Sequence, residues 1–190
     1  MKTNEYFERI VYLSPHDETK YRTAFIKDSI SHGINTEVVD SIDSNQVTMP
    51  HQATFSRNQL AEVLSFYGVI RRAHMDRINR LLVFSGNVKL RKDYKEREEM
   101  VFAQMPHEWD LTYWGHLACQ TTQVDTSDKY LHKTFHADGT FALAINNSFY
   151  HIFLEDAKVP VSSLNEHIRS ISLAIQMYVV LPPLATNPKL

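Results

Sequence analysis

Short apolar runs alternate with longer amphipathic segments along the chain, and one run, residues 81–84 (LLVF), has four apolar residues in a row. Such a run predicts a strand that is buried on both faces, as in a sheet covered by helices. It ends at Ser85-Gly86-Asn87, three small or turn-forming residues. Open α/β sheets bind ligands at the carboxyl ends of their strands, so this turn is a candidate site. An ordinary hairpin or strand-to-loop turn explains the same residues equally well.

The first part of the chain predicts a strand, a helix and a second strand. Residues 10–13 (IVYL) are apolar, and residues 36–40 form a second short strand. Between them, residues 18–32 carry apolar side chains among charges, which is typical of a surface helix, and Gly33 can end it. Two strands joined by a helix predict a right-handed parallel unit. Residues 47–55 have no clear period and predict a loop.

A helix over residues 57–79 has the clearest signals in the sequence. Ser56 and Gln59 have the spacing of a capping box, in which each side chain satisfies a backbone N–H of the other residue. A helical stripe of apolar residues follows, and His74 lies on or near it. We interpret His74 as a hydrogen-bonded histidine rather than a metal ligand. The helix leads directly into the strand that begins at Leu81.

The rest of the chain predicts a further alternation of helices and strands. In chain order these are a solvated helix (92–99), a strand ending at a glycine (108–115), a polar loop (118–133), a strand (141–145), two helices (148–155 and 163–174) and a last strand (177–181). The sequence therefore predicts one α/β domain, residues 1–190, with a Rossmann-like, mostly parallel sheet flanked by helices. We expect the strand at 81–84 to lie centrally, next to the strand at 10–13.

Composition and charge are those of an ordinary globular protein. The 190 residues are 43% hydrophobic and 22% charged, with a formal net charge of −2. No basic excess favours nucleic acid as a partner. The single cysteine, Cys119, excludes an intrachain disulfide and fits a reducing compartment. No apolar run is long enough to span a membrane and the first residues lack the core of a signal peptide, so we expect a cytoplasmic protein.

Other kinds of site have little support in the sequence. His132 and His136 are four residues apart, a spacing that would share a helix face and hold zinc, but the nearby Gly139 favours a loop and no third ligand is obvious. No nucleophile motif surrounds Cys119. The five glycines form no phosphate-binding loop.

Several short motifs follow one another in a definite order. They are V-Y-L at 11–13, V-D-S-I-D-S at 39–44, Q-L-A-E-V-L-S-F at 59–66, L-V-F-S-G-N-V-K-L at 82–90, W-D-L-T-Y-W-G at 109–115 and G-T-F-A-L-A-I at 139–145. In this order they resemble motifs of glycosyltransferase family 25, the lipooligosaccharide and collagen galactosyltransferases: I-N-L, F-D-A-I-D-G, E-I-G-C-x-x-S-H, L-I-L-E-D-D-V-x-L, W-D-L-x-Y-L-G and G-T-x-A-Y-x-I. The resemblance implies a GT-A-like fold. It also implies transfer of a galactose-type hexose from a nucleoside diphosphate sugar to a glycan or protein acceptor, as in lipopolysaccharide biosynthesis.

The chain departs from the family pattern at the residues that carry its chemistry. Ser85-Gly86-Asn87 replaces the acidic triplet that, in the family, holds Mn²⁺ against the diphosphate. Gln59 and Phe66 replace an acid and a histidine of the helix motif. Hard cations need oxygen ligands, ideally carboxylates. Because the acidic triplet is missing, we assign no cofactor and no metal ligand, although the family is expected to use Mn²⁺. The activity is then metal-independent or impaired, and the alternative is a non-catalytic module that binds a partner protein, a glycan or a nucleotide.

The resemblance assigns nucleotide-sugar binding to residues at the ends of the first strands and to the turn after residue 84. These residues are Leu13, Ser14, Asp40, Asp43, Ser85, Gly86 and Asn87. No catalytic residue is assigned. Cations that could face the phosphates are Lys89, Arg91 and Lys92, although a solvated charge run explains them better. Aspartates that could replace the acidic triplet in space are Asp40, Asp43, Asp110 and Asp138, each of which is otherwise a turn or capping residue.

Overall fold

An eight-stranded sheet organises the chain in the computed structural model, which describes residues 1–16, 18–50, 55–121 and 129–188. Its strands are β1 (Arg9–Ser14), β2 (Glu37–Asp40), β3 (Arg80–Ser85), β5 (Leu111–Gly115), β6 (Ala118–Thr121), β7 (Leu131–Asp138), β8 (Ala142–Asn146) and β9 (Met177–Val180). A separate two-stranded sheet pairs β4 (Lys89–Leu90) with β10 (Ala185–Thr186). The helices are α1 (Thr3–Tyr6), α2 (Thr19–Ser31), α3 (Arg57–Met75), α4 (Tyr94–Gln104), α5 (Asn147–Asp156) and α6 (Leu164–Ser170).

The strand order of the large sheet is β2-β1-β3-β8-β5-β9-β7-β6. Six of these eight strands run in one direction, and only β7 and β8 run against them, so the mostly parallel α/β fold is confirmed. The predicted central strand is confirmed as well, because β3 lies between β1 and β8 and pairs in parallel with β1. The carboxyl ends of β1, β2 and β3 therefore meet at one edge of the sheet.

Each face of the sheet carries its own core. Helices α3, α5 and α6 cover one face, and α1, α2, α4 and the small sheet cover the other. Strand β3 supplies both cores, because Leu81 and Val83 point to the first face whereas Leu82 and Phe84 point to the second. This two-sided burial is what the unbroken apolar run predicts.

The capping box of α3 is confirmed, and the helix is shorter than predicted. The backbone N–H of Ser56 donates to Gln59 Oε1 at 2.8 Å, and the N–H of Gln59 donates to Ser56 Oγ at 3.2 Å. The helix ends at Met75, since Arg77 takes a positive φ of 57° that a helix cannot continue through. His74 is exposed, and its ring meets the ring of Tyr150 edge-on at 6.1 Å; no hydrogen bond of its side chain to another described residue is seen.

Two other segments differ from the sequence prediction. The polar region 118–133 is not all loop, because it contains β6 and the start of β7; residues 122–128 lie outside the described residues, as do residues 51–54 of the predicted loop at 47–55. His132 and His136 lie on β7 and so do not share a helix face. Helix α4 is not a solvated helix, because Tyr94, Arg97, Glu98, Val101 and Phe102 are buried. No helix in the described part of the chain is long and apolar enough to cross a membrane.

Candidate functional site

A cavity of about 340 Å³ opens beyond the carboxyl ends of β1, β2 and β3. Its walls come from the β1–α2 loop, the segment after β2, the first turns of α3 and the turn after β3. The volume lies at the lower end of the range for small-molecule sites. Its titratable lining residues are His16, Glu18, Asp43 and Glu62, and no Lys or Arg is among the described residues that line it.

Four of the seven residues assigned from the sequence line this cavity. Leu13 comes from the end of β1, Asp43 from the segment after β2, and Ser85 and Gly86 from the end of β3. They meet because parallel strands bring their carboxyl ends to the same edge of the sheet. Ser14 is buried beneath the edge, where its carbonyl accepts a hydrogen bond from the N–H of Ser41 at 2.9 Å.

Asp40 and Asn87 lie outside this cavity. Asp40 forms an ion pair with Arg22 at 2.8 Å and lines a neighbouring, mostly apolar cavity of about 270 Å³. Asn87 lines a third cavity of about 360 Å³, together with Asp28 and Lys89. The predicted set of ligand-binding residues is therefore divided among three surfaces.

The turn after β3 is fixed by bonds that engage its polar atoms. Gly86 takes a φ of +65°, a backbone conformation that glycine adopts without strain. Its carbonyl accepts a hydrogen bond from the Tyr12 hydroxyl at 2.9 Å. Ser85 Oγ donates to the carbonyl of Thr140 at 3.3 Å, and the N–H of Ser85 donates to the carbonyl of Phe141 at 2.9 Å.

The residues of this turn do not fit a resident divalent ion. A hard cation needs several oxygen ligands, ideally carboxylates. Here the Ser85 hydroxyl and the Gly86 carbonyl already have protein partners, and Asn87 lies on a different cavity. Across the described ranges, no three His, Cys, Asp or Glu side chains are grouped closely enough to hold a metal.

Two hydrogen bonds shape the wall that follows β2. Asp43 Oδ1 accepts from the N–H of Asn45 at 2.8 Å, while Asp43 Oδ2 lies 3.9 Å from His16 Nε2. Ser65 Oγ on α3 accepts from the N–H of Ile42 at 2.9 Å, which ties this segment to the helix. Of the four candidate aspartates, only Asp43 lines the cavity; Asp110, for example, accepts a hydrogen bond from the N–H of Gln176 instead.

Glu62 is one of the cavity residues that the sequence analysis did not assign. Its Oε1 accepts a hydrogen bond from Thr140 Oγ1 at 2.6 Å. Burial raises the pKa of Glu62 above its ordinary value, and the Thr140 hydrogen bond lowers it in part. A signal was present, because Asn58, Glu62 and Ser65 stand at i, i+4 and i+7 and form a polar stripe along α3. All three residues line the cavity.

The chain has a GT-A-like fold. It superposes on a glycosyltransferase involved in the glycosylation of the major capsid of PBCV-1 with a TM-score of 0.55 and 13% sequence identity, over 95% of this chain and 92% of that one. The inositol-1-phosphate CTP transferase from T. maritima gives a TM-score of 0.48 and 11% identity, over 95% of this chain and 69% of that one. No protein-family model matches the sequence, and no curated protein matches it significantly. At these identities the likeness describes the fold and not the chemistry.

Proposed function

We propose that the protein is a glycosyltransferase that transfers a hexose from a nucleoside diphosphate sugar to a glycan or protein acceptor. The observation that carries the proposal is the cavity at the carboxyl ends of β1, β2 and β3, the edge where open α/β sheets bind ligands. The shared fold with a glycosyltransferase supports it. The order of the six sequence motifs supports a relation to family 25 and a galactose-type donor.

The wall chemistry favours the sugar and ribose of such a donor over its diphosphate. Carboxylates accept hydrogen bonds from hydroxyl groups, and Asp43 and Glu62 place such acceptors on the wall beside the apolar side chains of Leu13 and Ile42. An anionic diphosphate meets no Lys or Arg among the described lining residues. Lys89 lines the same cavity as Asn87, and Arg91 pairs with Asp93 at 2.8 Å, so neither supports the cation hypothesis.

A thermal titration tests this function. We expect UDP-galactose to raise the melting temperature, and to raise it more than UDP does, because only the sugar nucleotide brings the hexose hydroxyls. The titration is run with Mn²⁺ and with EDTA. Since the turn residues do not fit a resident ion, we expect EDTA alone to leave the melting temperature of the unliganded protein unchanged.

A pair of variants locates the binding. Ser44 lines the cavity, whereas the next residue, Asn45, is exposed and does not line it. Ser44→Trp fills the cavity and should abolish the stabilisation by UDP-galactose, while Asn45→Trp should keep it. An equal response from both variants means that the nucleotide sugar binds elsewhere. Binding of UDP-galactose without any release of UDP supports the alternative, a non-catalytic module with the same fold.

A further inference from the structure

Among the described residues, a hydrogen-bond partner is present for only one carboxyl oxygen of Glu62. Oε1 accepts the hydrogen bond from Thr140, while Oε2 has no hydrogen-bond partner among the residues that the structure describes. The side chain stands on the cavity wall, in the first half of α3, in the same lining as Ser85 and Gly86. Glu62 thus presents a hydrogen-bond acceptor of the protein to whatever occupies the cavity.

Thr140 fixes the direction of that carboxyl group. Its hydroxyl donates to Glu62, and its carbonyl accepts from Ser85 Oγ, so one buried residue joins the helix to the turn after β3. The preceding residue, Gly139, donates its N–H to Asn165 Oδ1 on α6 at 3.3 Å. The carboxyl group is therefore held from the short connection between β7 and β8, which hydrogen bonds tie to α6 and to the turn after β3.

We propose that Glu62 is a catalytic residue, the general base that takes the proton of the acceptor hydroxyl during hexose transfer. The inference rests on the proposed function. As the acceptor O–H bond breaks, its proton passes to Glu62 Oε2. The acceptor oxygen forms a bond to the anomeric carbon, and the bond from that carbon to the diphosphate breaks. The electron pair of the broken bond leaves with the nucleoside diphosphate, so atoms and charge balance.

The surroundings of Glu62 make its carboxylate more basic than an exposed one. Burial is the larger influence on its pKa, which is raised, and this brings the carboxylate closer to the basicity that proton transfer needs. Among the residues that the structure describes, the other titratable groups on the cavity are His16 and Glu18 from the β1–α2 loop and Asp43 from the segment after β2. From the connection between β7 and β8, the neighbour is the neutral residue Thr140.

Asp43 is another carboxylate on the cavity wall, and it fits the role of general base less well. Its Oδ1 accepts the N–H of Asn45 as the cap of a short 3₁₀ turn, and its Oδ2 faces His16. Both oxygens of Asp43 therefore face groups of its own wall, whereas Glu62 Oε2 has no partner among the described residues.

The test uses Glu62→Gln with UDP-galactose as donor and water as acceptor, and it measures the release of UDP. Glutamine keeps an oxygen for Thr140 but cannot take a proton, so we expect UDP release to fall about 100-fold or more. Glutamine still offers an acceptor oxygen to a hydroxyl group, so binding of UDP, measured by calorimetry, should change far less than UDP release does. Glu99→Gln on α4, an exposed residue on the other face of the sheet, is the control and should match the unmodified protein in both measurements.

A second pair of variants separates positioning from general damage to the fold. Thr140→Val removes the hydrogen bond that lowers the pKa of Glu62, so the rising limb of the pH–rate profile should move to higher pH. Thr140→Ser keeps a hydroxyl and should keep the limb in place. A purely structural role for Thr140 would lower the rate without moving the limb.

Each result decides something different. Full UDP release by Glu62→Gln overturns the assignment of the base and leaves the nucleotide site intact. If the unmodified protein binds UDP-galactose but releases no UDP, Glu62 is not a catalytic base and the non-catalytic alternative holds. If the protein binds neither UDP nor UDP-galactose, the proposed function fails and the inference fails with it.

Discussion

Two glutamates, Glu98 and Glu62, lie on opposite faces of the sheet. They have the same carboxyl group, but its surroundings differ. Glu98 on α4 is 5% exposed, and its Oε2 accepts hydrogen bonds from both the N–H and the hydroxyl of Thr3. The Thr3 and Tyr94 hydroxyls share a hydrogen bond at 2.9 Å, and Trp114 Nε1 donates to Tyr94 at 3.0 Å. Glu62, in contrast, has one donor and a second oxygen without a described partner, on a cavity wall.

The number of hydrogen-bond donors distinguishes a carboxyl group that stabilises the fold from one that is available to a ligand. A buried carboxyl group that accepts several hydrogen bonds satisfies those buried donors and contributes to stability. A carboxylate with a single donor and a cavity in front of it contributes less to stability, but it keeps an oxygen for a ligand. The hydrogen bonds of Glu98 should therefore stabilise the fold, while the cavity at Glu62 should serve substrate binding and turnover.

The largest expected effect comes from Trp114, which is fully buried among the aromatic side chains of the Glu98 face. Trp114→Ala should lower the free energy of unfolding by about 3–5 kcal/mol, because it removes a large apolar group and leaves a cavity. Urea unfolding measures this loss. Leu173→Ala, at a side chain that is 96% exposed, is the control and should cost less than about 0.5 kcal/mol. Similar losses from both variants would contradict the assigned core.

A smaller effect tests the two glutamates directly. Glu98→Ala leaves the buried N–H and hydroxyl of Thr3 without their acceptor and should cost about 2 kcal/mol. Glu62→Ala should cost less than about 1 kcal/mol, since only the Thr140 hydroxyl loses a partner and the cavity admits water. Both values come from urea unfolding at neutral pH. An equal or larger loss at Glu62 would make that residue structural and would weaken its assignment to catalysis.

The same contrast explains which parts of the fold could be predicted from the sequence. The strand β3 and the start of α3 have local signals, an unbroken apolar run and a capping box, and both are confirmed. The burial of α4 has no local signal, because Arg97 and Glu98 look solvated until partners from remote segments are known. Arg97 donates to the carbonyl of Leu181, and Glu98 accepts from Thr3.

The residues of the candidate site also differ in how far the local sequence predicts them. Leu13, Asp43, Ser85 and Gly86 follow the strand ends in the sequence, so parallel pairing brings them to one cavity. The direction of a single side chain is not a local property: Asn87 directly follows Gly86 and lies on another cavity. The polar stripe of α3 can indicate that Glu62 faces a site, but its hydrogen-bond partner Thr140 is 78 residues away and has no local signal.

The smallest effect is a pH dependence that separates the Glu62 cavity from an ordinary exposed surface. The pKa of Glu62 is raised in the folded protein above its ordinary value of 4.5, so the folded state binds this proton more tightly than the unfolded state does. The stability of the unmodified protein relative to Glu62→Gln should therefore fall as pH rises from about 4.5 through the raised pKa, and then level off. Urea unfolding of both proteins at a series of pH values gives the difference, in which the other titrating groups largely cancel. Glu99→Gln serves as the exposed comparison, and its difference should change much less over the same range. A difference for Glu62→Gln that stays flat, or that rises in favour of the unmodified protein, would mean that burial does not penalise the Glu62 carboxylate, and its contrast with Glu98 would then be lost.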